Sequence, residues 1–348
     1  MNRYWSKKAN SLSPYTAGEQ PNQMNVIKLN TNENAYPPSP KVQEAVLAAA
    51  ARLNKYPVPG SDGLARVAAE LNGIEPGNIF CANGSDEALA LCFLAFFDPG
   101  RCIYTTDITY SFYPVWANLF DLAVKQIPLN EDFTIPVEKM VNAPGGVVIA
   151  NPNAPTGIAL SSCEIEKIIQ SNSGVVIVDE AYVAFGGESV IGLIPKYKNL
   201  VVVRTLSKSH ALAGLRVGYV AADRDLIAAL EAVRDSFNSY PVDMLAQAGG
   251  AAALQDTEYY EKTSVQIMET RNYAARELAK MGVTVLPSST NFLFIRTGKP
   301  AKDIYAKLKE RGILVRWFDK PRICDFLRVS IGTMEEMKCL LRELQKLL

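Results

Sequence analysis

The sequence predicts an α/β chain, with a mainly parallel central sheet flanked by helices and followed by a smaller α+β domain. Three observations carry this. At 348 residues the chain exceeds what one hydrophobic core usually supports. Between about Ile79 and Ala222, short apolar runs (Val147 to Ala150, Val175 to Val178, Leu200 to Val203, Val217 to Ala221) alternate with helical segments. Runs apolar on both faces and separated by helices belong to a parallel sheet covered on both sides. After Met281 the pattern changes to short strands interleaved with helices.

In chain order, an irregular leader precedes Val42, Ala45, Val46, Ala49 and Leu53, which recur at helical spacing. Pro57, Pro59 and Gly60 mark a loop, and Leu64, Val67, Ala68 and Leu71 line one face of a second helix. Ser161 with Glu164, and Thr333 with Glu336, have capping-box spacing, so each pair opens a helix. A long helical region runs from about Asp243 to Met281, with an interruption expected near Gly249 and Gly250. Beyond it, Val283 to Leu286, Phe292 to Arg296, Ile313 to Trp317 and Phe326 to Ile331 read as strands, and Ala301 to Arg311 as a helix. The expected division is a leader, 1–35, packed with the small domain, then a large domain, 36–240, and a small domain, 241–348.

Composition narrows the chemistry. Lys plus Arg and Asp plus Glu both number 36, so no net charge draws the chain to nucleic acid or to a membrane surface. The first twenty or so residues lack the apolar core of a signal peptide, and no apolar run has the length of a bilayer span. The six cysteines show no C-x-x-C or metal-ligand spacing, which reads as reduced, non-catalytic thiols in a cytoplasmic protein. A single histidine, His210, argues against a His-rich metal site and a Ser-His-Asp hydrolase. Proton transfer then falls to another group, and a lysine of lowered pKa is a candidate.

Four segments could carry that chemistry. Arg204-Thr205-Leu206-Ser207-Lys208 follows an apolar strand, with Gly214-Leu215-Arg216 downstream. A lysine at the end of a buried strand is costly unless its charge is offset, shifted or used. Thr205, Ser207 and Arg216 could surround a phosphate, although a surface or paired lysine is the bland alternative. Val175 to Val178 run into Asp179, placing a carboxylate at the carboxyl end of a strand, where open α/β sheets bind ligands. A helix cap or structural ion pair is the competing account. Asn151 to Gly157 forms a rigid Pro/Gly turn that either presents Asn151 to a site or is merely structural. Asn83-Gly84-Ser85-Asp86-Glu87 opens an apolar helix whose free amides favour an anion, unless Ser85 is only a cap.

Taken together and in this order, these segments resemble the fold type I pyridoxal-phosphate (PLP) aminotransferases over nearly the whole chain. Within that superfamily the histidinol-phosphate aminotransferases are the nearest likeness. Further marks are Leu29 to Asn34 with Tyr36-Pro37-Pro38, Lys55-Tyr56-Pro57, Asp179-Glu180-Ala181-Tyr182 and Leu327 to Thr333. The resemblance implies that Lys208 bonds covalently to PLP and moves the reacting proton. Asp179 would hold the pyridine nitrogen, Asn151 and Tyr182 the ring hydroxyl oxygen, and Tyr110 would stack on the ring. Gly84, Ser85 and Asp86 amides, with Thr205, Ser207 and Arg216, would hold the cofactor phosphate. Tyr56 would reach that phosphate from a neighbouring subunit, making a homodimer with shared sites. Asn30 to Asn34 would line the entrance, Arg328 would clamp a substrate carboxylate, and Tyr15 and Arg316 would receive a substrate phosphate.

The implied reaction is transamination between L-histidinol phosphate and 2-oxoglutarate. Alternatives on the same scaffold are an aromatic or broad-specificity aminotransferase, a threonine-phosphate decarboxylase, and a non-catalytic PLP-binding regulatory domain. The last would be expected with a DNA-binding module, of which the sequence shows no sign. Ser209-His210-Ala211-Leu212 departs from the usual pattern of an aromatic residue and a glycine. His210 is therefore expected to pack near the lysine turn.

Overall fold

Seven strands form the central sheet, in the order Ile79–Ala82, Gly218–Ala222, Leu200–Thr205, Val176–Asp179, Gly146–Ala150, Cys102–Thr106, Ala123–Ile127. The structure is a computed structural model that describes residues 3–15, 18–20 and 26–348. Gly218–Ala222 runs antiparallel to both its neighbours, while the pairings from Leu200–Thr205 to Ala123–Ile127 are parallel. The sheet thus matches the expectation of a mainly parallel one.

The continuous apolar runs are explained by two cores, one on each face. Val147, Ile149, Val176, Val178, Leu200 and Val202 pack on one side. Val148, Ala150, Ile177, Val201 and Val203 pack on the other. Alternate residues of one strand therefore serve different cores, and no position can be polar until the strand ends. Parallel register puts Ala150, Asp179 and Val203 side by side at the carboxyl edge.

Both expected capping boxes form, at Ser161 with Glu164 and Thr333 with Glu336. Two expectations are corrected. Helix Met244–Gln255 runs straight through Gly249 and Gly250, and the interruption falls at Asp256 instead. A Cβ at Gly249 would lie 2.6 Å from Leu215 Cδ2, and one at Gly250 3.1 Å from Leu64 Cδ1. These glycines let the helix seat closely against its neighbours; they do not break it. The expected strand Ile313 to Trp317 is divided. Ile313–Leu314 pairs in parallel with Ile27–Lys28 of the leader. Arg316–Trp317 pairs antiparallel with Leu327–Ser330, in a four-stranded sheet completed by Phe292–Arg296 and Thr284–Val285. That sheet and the helices around it have their own apolar core, which includes Leu29 of the leader.

Candidate active site

The carboxyl edge of the central sheet, the leader and the C-terminal sheet enclose one cavity. Its wall includes Asp179, Lys208, Asp86, Tyr182, Arg316 and Arg328. Tyr15, Asn30, Ser85, Tyr110, Thr205, Ser207 and Arg216, also expected from the sequence, line it too.

Asp179 ends its strand nearly buried, with its carboxylate held at both oxygens. Tyr113 Oη donates to Oδ2 at 2.8 Å, and the Ala181 amide donates to Oδ1 at 3.1 Å. Burial outweighs both bonds and pushes the carboxyl up to about 6. Lys208 donates from its amine to the Thr31 carbonyl at 3.3 Å. Burial, seconded by the Arg328 guanidinium, lowers its amine to about 8. An amine so poised is a nucleophile and base near neutral pH. The lysine turn is itself tied down, since Asn34 Nδ2 donates to the Lys208 carbonyl at 2.8 Å and to that of Ser209 at 3.1 Å.

Beside the amine lies a cradle suited to an anion. Gly84 has a φ of 83° at the start of helix Gly84–Phe96, and a Cβ there would meet Arg216 Nη2 at 2.7 Å. Only glycine lets the helix start and the guanidinium approach so closely. Arg216 reaches Asp86 at 3.1 Å and Ser207 Oγ at 3.4 Å. Tyr110 Oη donates to Asp86 at 2.8 Å, which fixes the ring over the cavity.

The opposite wall is cationic. Arg328 donates through Nη2 to the Asn30 carbonyl at 3.0 Å, while its buried Nε has no partner among the described residues. The buried Oδ1 of Asn30 is likewise unmatched. Arg316 faces Arg328 across the strand pair and lies 5.6 Å from the Phe318 ring. Tyr15, stacked on Phe112 at 4.5 Å, lines this cavity and an adjoining cleft.

Three expected residues are not on the wall. Gly84 sits just behind it. Asn151 is fully buried, exchanging bonds with the Leu160 amide at 2.8 Å and carbonyl at 3.1 Å. Tyr56 is 81% exposed and stacks on Tyr240. His210 packs beside the lysine turn as expected, stacked on Tyr260 at 4.3 Å with Nδ1 3.1 Å from Ser209 Oγ. Burial and the nearby Arg204 lower its imidazole to about 3, so it stays neutral.

Sequence reasoning missed Tyr113, whose only signal is its position in the aromatic run from Tyr110. It also missed the separate tasks of the leader asparagines, where Asn32 Nδ2 donates to Tyr182 Oη at 2.9 Å. No periodicity reports such bonds, because their partners are 66 residues away for Tyr113 and 150 for Asn32.

The chain matches the family described as Aminotransferase class I and II over residues 24–344. It is 46% identical over 351 aligned residues to a histidinol-phosphate aminotransferase of Clostridium botulinum (strain Okra / Type B1), covering 100% of this chain and 99% of the relative. It is 49% identical over 350 aligned residues to one of Acinetobacter baumannii (strain SDF), covering 99% and 97%. Among solved structures, the histidinol-phosphate aminotransferase of Sinorhizobium meliloti in complex with pyridoxal-5'-phosphate superposes with a TM-score of 0.90, at 25% identity over 99% of this chain and 98% of that one. By its sequence and by the arrangement of its cavity, the chain belongs to the class I and II aminotransferases, alongside the histidinol-phosphate aminotransferases that it matches from end to end.

Proposed function

We propose that the protein is a PLP-dependent aminotransferase that interconverts L-histidinol phosphate and 2-oxoglutarate with imidazole acetol phosphate and glutamate, in histidine biosynthesis. One observation carries this reading beyond family membership. A single cavity joins a poised amine and a buried carboxylate on one wall to two guanidiniums on the other. A phosphate-bearing pyridine aldehyde fits the first wall, and a substrate with two anionic groups fits the second.

When bound, PLP supplies the carbonyl carbon that takes the amino group and the ring that accepts the electron pair of the broken Cα–H bond. Lys208 Nζ would hold the cofactor and would be the base that takes the proton from substrate Cα. Asp179 holds a proton at the pyridine nitrogen, and Tyr113 with the Ala181 amide keeps its carboxylate aimed. Arg216, Ser207, Thr205 and the helix start at Gly84 to Asp86 bind the cofactor phosphate. Tyr110 and Tyr182, both on the cavity wall, would hold the ring. Asn151 contributes there with the second hydrogen of an amide whose first is given to Leu160.

Arg328 takes the carboxylate of glutamate, offering its unmatched Nε. Arg316 and Tyr15 take the phosphate of histidinol phosphate, with Asn30 at the entrance. The exposed Tyr56 completes a partner's phosphate site in a cytoplasmic homodimer. Its exposure, and its absence from the lining of its own cavity, support that reading, and the six free thiols suit a reducing compartment.

The test is Arg316→Ala, with kcat/KM measured for both amino donors. A lost charge-assisted contact of about 1.5–3 kcal/mol should cost histidinol phosphate about one to two orders of magnitude. Glutamate, without a phosphate, should lose less. Equal losses would remove the phosphate role from Arg316.

A further inference from the structure

The strands Arg316–Trp317 and Leu327–Ser330 form a hairpin whose two guanidiniums are direct cross-strand partners, Arg316 opposite Arg328. Like charges in that relation repel. Leu327–Ser330 is held on its other edge by Phe292–Arg296, which leaves the far end of the hairpin to be fixed.

A contact at the tip of the loop between the strands fixes it. Arg322 leaves the loop with a φ of 68° and crosses to the central-sheet side of the cleft. Its Nη1 donates to Asp107 Oδ2 at 3.0 Å, and its Nη2 to the carbonyls of Leu129 at 3.0 Å and Asn130 at 2.9 Å. Asp107 follows strand Cys102–Thr106 and is itself fixed, its Oδ1 accepting from the Leu129 amide at 2.9 Å. One guanidinium therefore spans three acceptors on two segments, in a conformation that arginine adopts only under constraint. The ion pair is half open to water, with side-chain exposures of 37% and 23%, so its charge alone would contribute little. The geometry of the three-way contact is the significant part. Arg316, Arg322 and Arg328 also line the cleft that adjoins the main cavity.

We propose that Arg322 is a positioning residue for the substrate: by latching the hairpin tip to Asp107, Leu129 and Asn130, it holds Arg316 and Arg328 at the depth where they meet the substrate's anionic groups. This rests on the assignment of those two arginines given above. Arg322 touches no reacting atom. Its effect is to keep two neighbouring cations in place before the substrate arrives.

The loop carries its own reporter, since Cys324 is exposed and free, and Trp317 Nε1 donates to its carbonyl at 2.8 Å. The exposed Cys163, on helix Ser162–Ser171, serves as the internal control. The experiment uses the holoenzyme and compares Arg322→Ala, Arg322→Lys and Asp107→Asn, the last two being mild enough to keep the fold. Alkylation of Cys324 by iodoacetamide is followed by peptide mapping, beside kcat, KM for both substrates and PLP content. Arg322→Ala should raise KM about tenfold for both substrates, leave kcat within about threefold, and keep the cofactor. Cys324 should be alkylated several-fold faster, Cys163 at its former rate, and saturating inorganic phosphate should slow Cys324 again. Arg322→Lys and Asp107→Asn should shift both readouts the same way, by less. Unchanged KM with faster Cys324 alkylation would mean that the latch exists but positions nothing, and unchanged alkylation would mean that the buried Ile323 and Phe326 suffice to hold the loop; either overturns the proposal. If Arg316→Ala and Arg328→Ala also leave KM unchanged, the substrate assignment falls with it. If those two raise KM and Arg322→Ala does not, this proposal alone is wrong.

Discussion

The two walls of the cavity are built on opposite plans. On the central-sheet wall nearly every polar group has a protein partner before any ligand arrives: Asp179 with Tyr113 and Ala181, Asp86 with Tyr110 and Arg216, the lysine turn with Asn34. On the C-terminal wall, Arg328 Nε and Asn30 Oδ1 have no partner among the described residues, and two guanidiniums face each other. The first wall is satisfied before any ligand binds, and the second keeps polar atoms that, under the proposed function, a substrate would meet. Variants of the first should therefore depress turnover, and variants of the second should weaken binding.

The largest effect should come from Lys208→Ala, which removes both the covalent attachment and the base. Turnover should fall by about 10⁴-fold or more, the upper range for a positioned base, in a protein that still binds PLP non-covalently. Single-turnover kinetics would check it, and retention of even a hundredth of the rate would contradict the role.

Asp179→Asn should lower kcat by about 10²–10³-fold, as expected when a buried charge worth about 3–4 kcal/mol is lost. The same residue gives the ligand-free protein a pH signature. Its carboxyl rises from 3.8 to about 6 on folding, chiefly through burial. The unfolded chain releases this proton first, so stability falls as pH rises from about 4 to 6, by about 3 kcal/mol in all. Urea unfolding of the apoprotein across that range should show the decline, and Asp179→Asn should flatten it.

For the other wall, Arg328→Ala should raise KM for glutamate about ten- to a hundredfold, from the loss of a charge-assisted pair. A selective fall in kcat would erase the contrast between the walls. The smallest effect is expected for His210→Phe, which keeps a ring against Tyr260. Stability should change by less than about 1.5 kcal/mol and turnover hardly at all, because the imidazole is neutral and its polar contact is with the Ser209 hydroxyl and not with a cavity-lining group.

The contrast between the walls also explains what could be read from the sequence. Asp179, Lys208 and the Gly84 turn each end or follow an apolar strand or open an apolar helix, so local pattern and local chemistry coincide there. The antiparallel course of Gly218–Ala222 was not legible, because a strand buried on both faces has the same composition in either direction. Gly249 and Gly250 were misread because a glycine needed for close packing looks, in one dimension, like a glycine that ends a helix. Tyr113, Asn32 and Asn34 serve the site through side-chain bonds to distant segments, which leave no periodic trace. The Arg322 contact is of the same kind.

The division of Ile313–Trp317 between two sheets has a consequence for how the sequence can vary. Two residues of this short stretch are bonded to the leader, and the next two in the ladder to the arginine hairpin, with only Val315 between them. Adding or deleting one residue there would turn Arg316 to the far face of its sheet or pull the leader, and Asn30 with it, out of register. Side chains at Val315 can be exchanged for others of similar size at modest cost, whereas its backbone length cannot change. Selection on this link should act on spacing more than on residue identity, and a library of single insertions along residues 300–330 should show its sharpest intolerance at that point.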